Sequence, residues 1–182
     1  AVYSPVSKFS TLRTLLSVAA ASDWEITQID IKTAFLNGQL DETIYMDPPE
    51  GYPVPDNTVC RLQKSLYGLR QAPRMWYHAL CGLLQKINFI PSNADASLFI
   101  CKDHGKQIYV LVYVDDILIF SPNTALVEQV KTEILSKFDG RELKDSKSFL
   151  GLEISRNRPE KIIKLSQENA ILKLAEKFDI DQ

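Results

Sequence analysis

Val110-Leu111-Val112-Tyr113-Val114-Asp115-Asp116-Ile117-Leu118-Ile119-Phe120 is an apolar run broken by two neighbouring carboxylates. Both flanks are β-prone, so the Asp-Asp step reads as the tip of a hairpin. A two-residue hairpin turn favours Asn-Gly or Asp-Gly, because its central residues take positive φ; turn chemistry alone does not account for the pair. Adjacent carboxylates beside a hydrophobic sheet repel each other and lose hydration, which raises their pKa unless a cation compensates. Hard divalent ions such as Mg²⁺ take oxygen ligands of this kind. The pair therefore reads either as half of a metal site or as an exposed acidic turn, Asp being a common turn residue.

A third carboxylate stands in matching context in Glu25-Ile26-Thr27-Gln28-Ile29-Asp30-Ile31-Lys32. Strand alternation puts Ile29 and Ile31 on one face and Asp30 on the other. Laid beside the 110–120 hairpin, this strand would bring three carboxylates to one edge. Such a cluster can hold two divalent ions about 3.5–4 Å apart, which stabilises the entering and leaving oxygens of in-line phosphoryl transfer. Phosphoryl or nucleotidyl transfer is the reaction class this pattern favours.

The rest of the chain fits one compact unit. Its 182 residues suffice to bury a sizeable core as a single domain. A formal charge of −2 argues against indiscriminate electrostatic binding of duplexes, so any nucleic-acid contact must be local. Cys60, Cys81 and Cys101 are far apart and form neither a CxxC pair nor an even set, which reads as reduced core thiols and an intracellular protein. No stretch approaches the roughly 18 apolar residues of a membrane span.

The order of elements is α+β, without internal repeats. Ser10 is placed to cap a first helix carrying Leu12, Leu15, Leu16 and Ala19 on one face. The Asp30 strand follows, then a Pro- and Gly-rich region with short strands at 43–46 and 59–62. Pro73 opens a long helix with a buried stripe of Trp76, Leu80, Leu83 and Ile87. Strands at 97–101, 107–114 and 117–120 precede a helix with Val127, Val130, Ile134 and Phe138 on one face. A hairpin over 149–165, turning at Asn157-Arg158-Pro159, leads to a last amphipathic helix with Ile171, Leu174 and Phe178. The expected architecture is an antiparallel sheet backed by helices on one face.

Between Arg61 and Tyr77 the chain carries Arg61, Lys64, Arg70 and Arg74 without a carboxylate, interleaved with Tyr67, Trp76 and Tyr77. Guanidinium forks suit phosphate oxygens and aromatic rings suit stacking, so this block can contact nucleic acid. Gly68 there lets backbone approach a ligand closely. The competing reading is a solvated helix start with Trp76 in the core. His78 and His104 read as a helix-face and a turn residue.

Several ordered blocks carry a family resemblance. Tyr113-Val114-Asp115-Asp116 resembles the active-site box of reverse transcriptases. Gln28-Ile29-Asp30-Ile31-Lys32-Thr33-Ala34-Phe35-Leu36-Asn37-Gly38, with Ile44-Tyr45-Met46 and Pro48-Pro49-Glu50-Gly51-Tyr52, is similar to the first catalytic block of the copia-type lineage of long-terminal-repeat retrotransposons. Ser65-Leu66-Tyr67-Gly68-Leu69-Arg70-Gln71-Ala72-Pro73-Arg74 resembles its second block, and Phe149-Leu150-Gly151-Leu152-Glu153-Ile154 its primer-grip block.

The resemblance implies a polymerase palm and an RNA-directed DNA polymerase. Residues 1–182 would form a single reverse-transcriptase-like domain, with 149–182 the primer-grip hairpin and following helix. It implies that Asp30, Asp115 and Asp116 bind two Mg²⁺ ions, with Mn²⁺ as an alternative and the Ile31 carbonyl as an extra ligand. Phe35 would close the sugar pocket against a ribose 2′-hydroxyl, unless it merely caps the core. Tyr67 and Gly68 would contact the nucleotide, and Lys64, Arg70, Arg74 and Gly151 the nucleic acid. Lys147 would protonate the leaving pyrophosphate. Partners would be an RNA or DNA template with its primer, deoxynucleoside triphosphates and the other Pol regions (fingers, ribonuclease H, integrase). The setting would be a cytoplasmic virus-like particle or the nucleus, with no membrane. The fingers are expected to be truncated and the thumb incomplete. Two alternatives remain: a catalytically inactive module retained for nucleic-acid or protein binding, and a nucleotide cyclase, which gives no reason for the Tyr67 to Pro73 block or for Phe35.

Overall fold

The structure, a computed structural model, describes residues 4–143 and 148–180. Helix α1 (Phe9–Ala21) leads into strand β1 (Glu25–Ile31), a 3₁₀ turn (Ala34–Asn37), a ribbon of β2 (Tyr45–Met46) and β3 (Cys60–Arg61), and helix α2 (Ala72–Lys86). Strands β4 (Phe89–Pro91), β5 (Leu98–Cys101), β6 (Tyr109–Tyr113) and β7 (Asp116–Ser121) follow, then helix α3 (Thr124–Lys137) and strand β8 (Gly140–Glu142). Strands β9 (Ser148–Phe149), β10 (Leu152–Asn157) and β11 (Ile162–Ser166) precede helix α4 (Glu168–Lys177).

Six strands make one antiparallel sheet in the order β4-β5-β6-β7-β1-β8, and β9, β10 and β11 make a second. Alternation sorts the central strands into two apolar faces. Ile29, Ile31, Val110, Val112, Ile117 and Ile119 pack with Trp76, Leu80 and Leu84 of α2 and with Val127, Val130 and Ile134 of α3. The opposite face presents Leu111, Leu118 and Phe120 to Leu12, Leu15, Leu16 and Ala19 of α1 and to Phe149 and Leu152. Helices on one face alone is therefore corrected. The strands are apolar on both sides, and α1 with the smaller sheet covers the second.

Local details differ where distant residues intervene. Ser10 lies inside α1 rather than capping it, because the helix starts at Phe9. Asp95 serves that end instead, accepting from the Lys8 backbone N–H at 3.0 Å and the Thr11 hydroxyl at 2.6 Å. In α2 the buried stripe runs through Trp76, Leu80 and Leu84, while Leu83 and Ile87 are half-buried beside it. The α3 cap follows ordinary chemistry, with Asn123 Oδ1 accepting from Ala125 N–H and Leu126 N–H. On α4 no residue is buried, so Ile171, Leu174 and Phe178 face solvent among the described residues. Cys81 is buried, whereas Cys60 and Cys101 are half-buried thiols.

Candidate active site

The β6–β7 hairpin pairs Tyr113 with Asp116, leaving Val114-Asp115 as a two-residue loop. Only Asp115 occupies the tip; Asp116 is already a ladder residue. Val114 sits at φ 55°, a left-handed conformation that costs a β-branched residue about 1–2 kcal/mol. Two hydrogen bonds hold the loop there. Trp76 Nε1–H of α2 donates to the Val114 carbonyl at 2.6 Å, and the Ile31 N–H donates to the Asp115 carbonyl at 2.9 Å. Trp76 is thus a core residue, 2% exposed, that also braces the acidic turn from the α2 side of the sheet.

In the β1–β7 ladder Asp30 stands directly opposite Asp116. Facing residues share one side of the sheet with Cβ atoms about 4.5–5.5 Å apart, and like charges so placed destabilise. Asp116 Oδ1 accepts from Gln28 Nε2–H at 3.0 Å, and Asp30 Oδ2 accepts from Arg141 Nε–H at 3.2 Å. Burial is the main reason the Asp116 carboxyl lies above its ordinary range. The Gln28 hydrogen bond opposes that rise, and the charges of Asp115 and Asp30 add to it. The front strand and the hairpin thus bring the three predicted aspartates to one corner.

Three oxygen-donor side chains, one of them half-buried and raised in pKa, suit a hard divalent cation in chemistry and adjacency. With the side chains as they stand, no group of three or more His, Cys, Asp or Glu among the described residues is arranged to hold a metal ion. Arg141 and Gln28 each engage one carboxylate oxygen of the cluster. The Arg141 charge competes with a cation at Asp30.

The remaining predicted residues fall into three groups. Phe35, on the 3₁₀ turn after β1, is half-buried, and its ring lies 4.6 Å from that of Tyr67. Gly68 follows at φ 95°, with no atom within 4 Å of a Cβ built there, so its backbone conformation and not crowding calls for glycine. Lys64 and Arg70 are exposed, whereas Arg74 is paired with Asp41 at 2.5 Å and Gln71 donates to Glu42 at 2.7 Å. A segment free of carboxylates in sequence is met by two of them in space. The Ile31 side chain is buried, and its main-chain N–H is the donor to the Asp115 carbonyl. Leu150 and Gly151 form the β9–β10 turn, both at positive φ, as a type I′ turn requires. Lys147 lies outside the described residues. His78 and His104 are exposed.

Sequence reasoning did not single out Gln28, Arg141 or the Trp76 N–H. Gln28 shares the alternating face of Asp30, a signal that was available. Arg141 belongs to β8, a three-residue strand without apolar alternation.

Comparison with known proteins shows the family. Residues 1–182 match the family described as reverse transcriptase (RNA-dependent DNA polymerase). The chain is 38% identical over 182 residues to the retrovirus-related Pol polyprotein from transposon TNT 1-94 of Nicotiana tabacum, covering 98% of this chain and 14% of that protein. It is 42% identical over 156 residues to the Pol polyprotein from transposon RE2 of Arabidopsis thaliana, covering 85% and 11%. The putative transposon Ty5-1 protein of Saccharomyces cerevisiae is 34% identical over 155 residues, covering 84% and 50%. The chain spans only a small part of the two plant polyproteins.

Proposed function

Because this chain belongs to the reverse transcriptase (RNA-dependent DNA polymerase) family, with Pol polyproteins of copia-type transposons as relatives, we propose that it carries the nucleotidyl-transfer centre of an RNA-directed DNA polymerase. The observation that carries the reading is the register of Asp30 against Asp116, beside Asp115. In it residues 1–182 act as one palm-centred domain, and 149–182 supply the primer-grip hairpin and its helix.

Asp30, Asp115 and Asp116, with the Ile31 carbonyl, would hold the divalent ions, Mg²⁺ or Mn²⁺. Bound there, such ions would acidify the primer 3′-hydroxyl and would neutralise charge developing on the pyrophosphate. The chain's own residues position the reactants. Phe35, backed by Tyr67, walls the sugar pocket and excludes a 2′-hydroxyl, and Gly68 admits the nucleotide close to the backbone. Lys64 and Arg70 take phosphates of the nucleic acid, and Arg74 joins them by exchanging Asp41 for a phosphate. Gly151 lets the primer backbone approach, and Lys147 hands a proton to the leaving group. The attack itself needs no side-chain nucleophile, so catalysis is positioning and electrostatics. Template with primer, deoxynucleoside triphosphates and other Pol regions are the proposed partners, in the cytoplasmic particle or the nucleus. Among the described residues no helix is long and apolar enough to cross a membrane.

A second reading, a non-catalytic nucleic-acid-binding module, is favoured by the engagement of Asp30 and Asp116 with Arg141 and Gln28. Primer extension with Mg²⁺, with Asp115→Asn as control, separates the two. The polymerase reading expects extension that the substitution abolishes while template binding persists. Template binding without extension in the unsubstituted chain would favour the module, and extension indifferent to Asp115→Asn would overturn the site.

A further inference from the structure

We infer that Gln28 is a positioning residue of the acidic cluster: its side-chain amide fixes the Asp116 carboxylate through Oδ1 and keeps the other oxygen available to a cation. The inference rests on the polymerase reading of that cluster.

Three observations carry it. Gln28 ends a cross-strand row otherwise made of leucines, facing Leu118, which faces Leu111, which faces Leu98. At 9% exposure it is a buried polar side chain where a leucine would continue the row. A buried amide without a partner is destabilising, so the identity of this residue calls for the bond it makes. That bond goes to Asp116, its diagonal neighbour across the ladder, at 3.0 Å. Diagonal neighbours lie about 7–8 Å apart, a span that a long side chain bridges and a shorter one does not. The main chain of Gln28 is fixed as well, since its carbonyl accepts from Leu143 N–H at 2.9 Å.

Charge distinguishes this contact from the one beside it. Arg141 brings a full positive charge to Asp30 and so competes with any cation. The Gln28 amide is neutral, donates to an ionised carboxylate, and leaves the negative charge in place. Among the described residues, Asp116 Oδ2 accepts no hydrogen bond. Outer-shell partners of this kind orient a ligating carboxylate, and losing one costs about 10–100-fold in metal affinity or activity.

The test uses the full chain with Gln28→Leu, Gln28→Asn and Asp116→Asn. Mn²⁺ binding is titrated without nucleic acid by the paramagnetic resonance of free Mn²⁺, and primer extension and melting in chelator are measured beside it. Gln28→Leu is expected to weaken Mn²⁺ binding and slow extension, each about 10–100-fold. Its melting temperature and template-primer affinity are expected to match those of the unsubstituted chain. Gln28→Asn keeps the amide but not the reach. It is expected to match Gln28→Leu in Mn²⁺ binding and extension while melting lower, because its buried amide is left without a partner, and it supplies the second comparison if leucine disturbs the packing. If Asp116→Asn loses Mn²⁺ while both Gln28 variants bind and extend normally, the polymerase reading stands and this inference falls. If the unsubstituted chain binds no Mn²⁺, or Asp116→Asn binds it normally, the reading of the cluster falls and the inference falls with it.

Discussion

Gly140 is the residue on β8 that lets this edge strand lie against β1, and Gly140→Ala tests whether the sheet register positions Asp30. It pairs with Ile31, and a Cβ added there would lie 2.7 Å from the Asp30 carbonyl oxygen, 3.0 Å from Ile31 Cδ1 and 3.1 Å from Leu135 Cδ2. Ordinary carbon–oxygen contacts fall at about 3.3–3.6 Å, so the overlap is about 0.6 Å or more against a backbone atom. Relief requires β8 to move off β1, or β1 to move with Asp30. Overpacking of this kind costs about 1–3 kcal/mol. In a chain of this length 1 kcal/mol shifts Tm by about 2–4 °C, so the expected fall is about 2–12 °C. Gly82, in the middle of α2 with nothing within 4 Å of its missing Cβ, is the internal control. Gly82→Ala should gain about 0.5–1 kcal/mol, or about 1–4 °C. The assay is thermal unfolding by circular dichroism in chelator, followed by Mn²⁺ titration. Gly140→Ala is expected to melt lower and bind Mn²⁺ more weakly, and Gly82→Ala to melt higher with binding unchanged. A Gly140→Ala protein that melts at or above the unsubstituted chain would refute the reasoning.

Four further outcomes are expected. The Asp116 carboxyl is raised by burial first and by Asp115 and Asp30 next, so the folded state binds its proton more tightly than the unfolded state does. Its ionisation therefore destabilises the metal-free fold: Asp116→Asn should raise the melting temperature at pH 7, and the gain should vanish below the ordinary value of 3.8. An equal gain at pH 7 and pH 3.5, measured by calorimetry, would contradict this. Phe35→Ala should relax selection against ribonucleotides by on the order of 10²-fold at most, read from single-nucleotide incorporation; an unchanged ratio would leave Phe35 as packing. Arg141→Gln removes an ion pair whose guanidinium side chain is 67% exposed, worth about 0.2–1 kcal/mol, so Mn²⁺ binding should tighten by up to about fivefold. Weaker binding would show that Arg141 assists the site. Trp76→Phe deletes the hydrogen bond to the Val114 carbonyl, costing about 0.5–1.5 kcal/mol, and should slow extension more than it lowers template affinity. A variant that extends normally would show that the turn holds without its brace.

Much of the site was legible because strand alternation is local. Asp30 between Ile29 and Ile31 declares its face from two neighbours, whereas Asp116, read with Asp115 as the hairpin tip, is a ladder residue opposite Tyr113 and Asp30. The apolar stripe of α3 was legible because helical periodicity is local too. What escaped depends on contacts distant in sequence. The end of α1 is served by Asp95, 84 positions beyond Thr11, and no local pattern announces that. Strands β4 and β8 are three residues each and exist by pairing with neighbours, so Arg141 was not placed beside Asp30. The basic block looked unopposed until Asp41, 33 residues before Arg74, arrived through the fold.

The departures from local rules are concentrated in one place, and that concentration bears on function. Among the described residues the β-branched positions at positive φ are Thr33, three residues after Asp30, and Val114, one before Asp115. Between them a carboxylate faces a carboxylate, and a glutamine ends a row of leucines. Each feature is unfavourable for a sheet considered alone, and each would be relieved by a common substitution. The surrounding core tolerates them because Trp76, Ile31 and the two apolar faces fix the backbone whatever the cluster does. Strain held where packing over-determines the chain is the expected mark of a pre-organised site. A corner of the sheet kept acidic and strained in this way is what the proposed cation site calls for.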